Sequence, residues 1–318
     1  MAAITVRLRE GASRQRGTFA AAAVTIAFLA VVIEESWAGN PVTWNSLLFF
    51  AIVGITFGSV YAVAATGLVV TYTTSGIFNF AQGAIGMFGA FIFWKLHVDM
   101  GMQTLVAFIL TVFVAAPLIG AIIEVTLMRR LADAPLVAQI VTTIGLMLAL
   151  MGLAATLWDP QTPRRIDRFF GTQGFMIGDT LMPWSRFITI VTGLLLALGL
   201  KVLLSRTRLG VAMRAVVDNR ELAGLNGVKP GRVSMFSWAL GSGMAAIAGI
   251  FLAEELASLD VQTLTLLIIE AFAAAIIGRL KNLPMTFVGG LILGMAVAFQ
   301  QNFLTWSGRW TVAQQSIP

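Results

Sequence analysis

The sequence predicts an all-α polytopic membrane protein, with about nine transmembrane or re-entrant helices and a cytoplasmic N-terminus. Three observations carry this prediction. The chain is 58% hydrophobic and only 11% charged over 318 residues. That is more apolar surface than a water-soluble domain of this size can cover, so the solvent is lipid. The apolar runs approach the roughly 20 residues that a helix needs to cross a hydrocarbon core. Finally, Lys and Arg fall in the gaps between these runs and are shared unevenly between alternate gaps.

The elements follow in order. A basic arm, residues 1–17, precedes a first apolar run at 18–33. Such an arm and an alanine-rich core resemble a secretory signal, but Glu34 and Glu35 stand where a small-residue cleavage site would be. The run is therefore read as a retained helix. Spans are expected at 46–71, 77–96, 104–127, 136–157, 187–204, 233–256, 264–278 and 285–304. The segment 77–96 is interrupted by Gly83, Gly86 and Gly89, and 264–278 is short and carries Glu270. Segments of this kind are tolerated where they are buried in protein or line a cavity. The gap Asp159–Trp184, rich in Pro, Gly and polar residues, reads as an external cap. Residues 205–232 form a cytoplasmic loop, and 18–318 as a whole form one membrane domain. The reading leaves the C-terminus outside and expects one further helix beyond Pro318.

Orientation follows from charge. With the arm inside, the inside gaps hold Arg7, Arg9, Arg14, Arg16, Arg129, Arg130, Lys201, the six loop cations, Arg279 and Lys281, fifteen of the 21 Lys and Arg. The outside gaps hold Lys95, Arg164, Arg165, Arg168, Arg186 and Arg309. The cluster Arg164–Arg168 runs against the positive-inside rule. A net charge of +6 raises the possibility of nucleic acid, but the cations lack the interleaved aromatics of a base-stacking surface. Membrane lipid is the expected partner, and no nucleic acid.

Catalysis finds little support. The chain has no Cys and a single His, His97, so no metal site is expected. There is no G-x-S-x-G, no H-E-x-x-H and no paired carboxylate set at helical spacing inside a span. No Lys follows a Gly, which excludes a Walker A loop. The chain is read as a non-enzyme that binds no cofactor itself.

The polar residues inside spans say more, because such groups are costly in lipid. Asn79 and Gln82 sit in SGIFNFAQGAIGMFGAF beside Gly83. Either they are glue between small-residue helices, or their amides line a solute path on a broken segment. Thr142 and Thr143 are weaker candidates for the same path, with bonding to their own helix as the alternative. Glu270 is the sharpest ionisable candidate, either paired within the bundle or coupled to protons. Glu124 lies about one turn from Arg129 and Arg130, which predicts an interfacial ion pair. In the loop, Ala212, Ala215, Val216, Leu222 and Ala223 recur at helical spacing and predict a short helix with a close-packing face.

Three stretches taken together carry a family resemblance: TGLVVTYTTSGIFNFAQGAIGMFGAF, GVAMRAVVDNRELAGLNGV and AAAIIGRLKNLPMTFVGGLILG. The chain resembles the branched-chain amino acid permease family of ABC importers, specifically the LivH-like subunit. The resemblance implies that 18–318 is a permease domain in the plasma membrane of a bacterium. It also implies two ATP-binding subunits that carry the ATP and Mg, a LivM-like second permease subunit and an extracytoplasmic solute-binding protein. Gly210, Arg214, Asn219, Arg220, Glu221 and Gly224 match the coupling segment that docks on the ATP-binding subunit. The expected solutes are branched-chain or related amino acids; urea, amides or another small solute are alternatives within the same class. The family's Gly-Gly-Leu-x-Ser-Leu-Pro-Gly run reads here as Gly278-Arg279-Leu280-Lys281-Asn282-Leu283-Pro284-Met285. Losing two glycines changes what that turn must accommodate. Two readings from other classes stay open: a proton-driven secondary transporter working through Glu270, which requires inverted repeats, and a membrane scaffold without transport activity.

Overall fold

The computed structural model describes residues 43–131 and 134–303, without the side chains of Asp218 and of 301–303. The arm 1–17, the first expected span 18–33 and the segment after residue 303 lie outside the described residues. Helices dominate: α1 Trp44–Ser75, α2 Gln82–Trp94, α3 Thr104–Thr126 and α4 Leu136–Leu157. A hairpin of β1 Gly174–Ile177 and β2 Thr180–Pro183 comes next. Then follow α5 Trp184–Arg206, α6 Arg208–Asp218, α7 Arg220–Leu225, α8 Pro230–Leu256, α9 Val261–Ile277 and α10 Leu283–Phe303. The hairpin holds the only strands among the described residues and is a local departure from an all-α chain.

Each expected span within the described residues meets a helix. Six are long and apolar enough to cross a membrane: α1, α3, α4, α5, α8 and Leu283–Gln300 of α10. The segment at 77–96 differs from expectation. Residues 76–81 are not helical, Gly76 takes a left-handed φ of 72°, and α2 begins only at Gln82. A π-helical turn, Lys95–Asp99, continues α2. A second π-helical turn, Thr111–Ala115, sits inside α3 just before Pro117. Proline has no N–H to give and crowds the carbonyl four residues back, so a widened turn relieves the ladder there.

The chain divides into a large unit, Ala51–Ala298, and a smaller one of which 43–50 and 299–303 are described. In the smaller unit the Phe50 and Phe299 rings meet in a T-shape, 6.2 Å between centroids. The large unit holds the core and the sites. Lipid offers no hydrophobic force between helices, so close backbone approach decides the packing. A Cβ on Gly58 of α1 would meet the Leu291 Cα of α10 at 2.7 Å, and one on Gly290 would meet the Ala62 Cα at 2.7 Å. Gly86 of α2 would likewise meet the Ala245 carbonyl of α8 at 2.7 Å. The central helices α1, α2 and α8 are the most enclosed, while α4 and α5 turn most of their surface outward.

The two ends of the bundle differ. At one end, the basic end, Arg129 of the turn after α3 bonds Glu124 at 2.8 Å, as the sequence predicts, and donates to the Gly231 carbonyl at 3.3 Å. Arg279, Lys281 and the α6–α7 segment lie at this end too. The opposite, cap end gathers the loop 158–183, the start of α5 and the end of α8. There Arg186 pairs with Glu255 at 2.5 Å, with side chains only 9% and 5% exposed. The neighbouring Glu254 accepts from the Phe169 N–H at 3.2 Å. Arg164 stacks 5.2 Å over the Trp94 ring and donates to the Asp159 and Thr162 carbonyls. At least one of the cations that run against the charge rule is thus a structural clasp on the cap loop. Asp159 accepts from the Gln161 N–H and the Thr162 hydroxyl, which holds its carboxyl below the usual carboxylate range.

Candidate functional site: a broken helix and a coupling face

The first candidate site is the break before α2. Asn79 Nδ2 donates to Gln82 Oε1 at 2.9 Å, and Gln82 Nε2 donates to the Gly241 carbonyl of α8 at 3.1 Å. Both side chains are fully buried. Gly241 and Gly67 make room for this chain of bonds, since a Cβ on Gly67 would meet Gln82 Nε2 at 2.8 Å and the Gly241 carbonyl at 3.0 Å. From α4, Thr143 donates to the Phe78 carbonyl at 3.0 Å. That carbonyl lies in the non-helical stretch, where it also accepts from the Phe80 N–H at 3.2 Å. Thr142 bonds only its own helix, at the Ala138 carbonyl. A Cβ on Gly83 would run into the Thr265 carbonyl, so this glycine lets α9 approach α2. The structure thus brings Asn79, Gln82, Gly83 and Thr143 together around one break and leaves Thr142 outside it.

Beside the break lies an aromatic group that the sequence reading did not single out. Phe78 stacks on Tyr72 at 4.6 Å, and Phe80 lies 4.7 Å from Phe272 of α9. All four rings are half-buried. Phe78 and Phe80 flank Asn79, and Phe272 is two residues from Glu270, so the sequence signal was present in the neighbours of the residues already chosen. Glu270 is half-buried, and its buried Oε2 has no hydrogen-bond partner among the described residues. It sits at the border of two faces of α9: Leu266, Ile269 and Ile276 are exposed, while Leu264, Ile268, Ala271 and Ala275 pack inward.

The second candidate site is α6–α7. Thr207 caps α6 by accepting from the Gly210 N–H at 3.1 Å. Asn219 ends α6 and caps α7, accepting from the Leu222 N–H at 2.9 Å. The sequence VVDNREL is therefore two short helices with a corner at Asn219. Met213, Val216, Ala223 and Val233 form a buried cluster that pins the pair to the start of α8, with Ala212 and Ala215 half-buried against it. Gly210 has to be small, because a Cβ there would strike the Leu203 and Leu204 carbonyls. Arg214 donates to the Leu204 carbonyl. Leu222 departs from expectation: it faces out rather than into the packing face. It does so with Val211, Val217 and Leu225, the last 84% exposed. Glu221 is exposed and Arg220 half-buried. A Cβ on Gly224 would meet nothing within 4 Å, so nothing among the described residues explains its lack of a side chain.

The turn after α9 shows the consequence of the lost glycine. Arg279 and Leu280 adopt φ values of 53° and 56°, left-handed positions that glycine enters without penalty. The turn still closes, with the Leu280 N–H on the Ala275 carbonyl and Asn282 accepting from the Met285 N–H.

These features meet a consistent set of relatives. The chain is 29% identical over 258 residues to the high-affinity branched-chain amino acid transport system permease protein BraD of Pseudomonas aeruginosa, covering 77% of this chain and 83% of the relative. It is 27% identical over 265 residues to LivH of Escherichia coli K12, covering 79% and 85%. A probable branched-chain amino acid transport permease protein LivH of Methanocaldococcus jannaschii is 27% identical over 274 residues, covering 79% and 83%. No solved structure matches the chain. The family described as "Branched-chain amino acid transport system / permease component" matches residues 50–316, which takes in both candidate sites, and the chain belongs to that family of multi-pass membrane permeases.

Proposed function

We propose that this chain is one transmembrane half of an ABC importer that carries branched-chain or related amino acids across the plasma membrane. Its ATPase is separate: two ATP-binding subunits dock at the basic end, which faces the cytoplasm, as the positive-inside rule favours. A LivM-like second permease subunit completes the path, and an extracytoplasmic solute-binding protein delivers the solute at the cap end. Including the first span outside the described residues, the chain contributes about nine transmembrane or re-entrant helices.

The α6–α7 geometry carries this reading. One face is packed onto the bundle, so movement of the helix pair is movement of α8 and α5. The other presents Val211, Val217, Leu222 and Leu225 to water, rimmed by Arg208, Arg214 and Glu221. Apolar side chains inside a charged rim are the composition of a protein interface. Open space around Gly224 suits the close approach of a partner backbone. On the path side, Asn79, Gln82 and Thr143 hold the break, and the rings of Tyr72, Phe78, Phe80 and Phe272 close it in the resting state. The buried Oε2 of Glu270 meets no partner among the described residues, and an unpaired carboxylate is expensive in lipid, so this part of α9 belongs against the second permease subunit or the aqueous path.

The test is co-purification of the full-length chain with its ATP-binding subunits. Wild type captures them, while Gly224→Trp and Arg220→Glu lose them and keep the wild-type elution profile. Equal capture by the variants would reduce α6–α7 to a connector. In that case Glu270→Gln, assayed for transport without any ATPase, decides for or against the proton-driven alternative.

A further inference from the structure

Among the described residues, the β1–β2 hairpin has one face on protein and the other exposed. Its register pairs Met176 with Leu181 and Phe175 with Met182, so each pair shares a face. The Phe175–Met182 face is inside: Met182 is buried, and the Phe175 ring lies 5.3 Å from Trp184 and 5.7 Å from Phe187. The opposite face shows Met176 and Leu181, 59% and 44% exposed. A hairpin standing in water carries polar residues on its free face. This one carries none.

The hairpin's position says what covers that face. The Trp184 N–H, at the first residue of α5, donates to the Gln173 carbonyl at 3.0 Å, so the hairpin root is fixed to the first turn of a membrane-crossing helix. From there Trp184 and Phe187 are exposed and lead into Leu194, Leu195, Leu198 and Val202, the outward apolar face of α5. The hairpin is therefore rooted where this outward apolar face of α5 begins. Trp and neighbouring aromatic rings at the end of a span are the usual residents of the headgroup region.

We infer that the β1–β2 hairpin is an interfacial membrane anchor: Met176 and Leu181 insert among the lipid headgroups at the cap end, beside the start of α5. The occupant is lipid, not the solute-binding protein. The hairpin spans about 13 Å at ~3.4 Å per residue, short enough to lie within one interfacial layer. Fixed to α5 at its root and to lipid along its face, it holds the cap loop at a set depth, with Glu254 and Arg164 clasping the other side of that loop.

The chain has no Cys, so single-cysteine spin labels need no background removal. The full chain carries Met176→Cys, Leu181→Cys, Leu195→Cys or Gln161→Cys in nanodiscs of phosphatidylethanolamine and phosphatidylglycerol. Collision with oxygen is compared with collision with the water-soluble nickel chelate NiEDDA. Labels at 176 and 181 are expected to shift towards oxygen, as at 195, while 161 stays accessible to the chelate. If 176 and 181 match 161, the anchor is wrong. Loss of chelate access only after a binding protein is added also overturns it and assigns the face to protein docking. The inference rests on α5 crossing the membrane, and failure of that reading shows separately, as chelate access at 195.

Discussion

Arg186 and Glu255 come from elements 69 residues apart and meet as a nearly dry, forked pair. Nothing in their local sequence announces it. Each reads as an ordinary interfacial charge, since the pairing depends on where α5 and α8 end relative to one another. Glu124 and Arg129 are the contrasting case: five residues apart at the end of one helix, they were legible at once. Removing one partner of a buried pair takes away the charge that faced the other, so Glu255→Ala is expected to be destabilising, by up to about 3–5 kcal/mol. Replacing both partners by apolar residues removes the remaining charge as well, so Arg186→Met with Glu255→Leu costs less than Glu255→Ala alone. Thermal denaturation of the detergent-solubilised protein reads the order; a double variant less stable than the single would contradict it.

At the scale of elements, spans were the most legible feature, because length and hydropathy suffice and lipid forbids most alternatives. The break at 76–81 was legible only in part. Asn79, Gln82 and Gly83 marked the segment, but the bonds to Gly241 and Thr143 come from distant helices. Periodicity named the packed side of α6–α7 correctly except at Leu222. The corner at Asn219 rotates α7, and a single helical wheel cannot foresee that. The turn between α9 and α10 tests how backbone conformation limits sequence. A non-glycine residue in the left-handed region costs about 1–2 kcal/mol, and Arg279 sits there. Arg279→Gly recovers part of this and is expected to raise the denaturation midpoint. A lowered midpoint would mean that the arginine side chain contributes more than its backbone costs.

For the whole molecule, the same helices that build the core connect its two ends. Helix α8 starts against Arg129 and the α6–α7 cluster, passes Gln82 at Gly241, and finishes at Glu254 and Glu255. A push delivered at the basic end therefore reaches both the break and the cap through one rigid element, the physical requirement for alternating access. The most direct test is uptake of radiolabelled leucine into proteoliposomes that contain the assembled importer and its binding protein. The account predicts uptake that requires ATP and is abolished by Gly224→Trp. Uptake driven by a proton gradient without the ATP-binding subunits, and lost in Glu270→Gln, would contradict it.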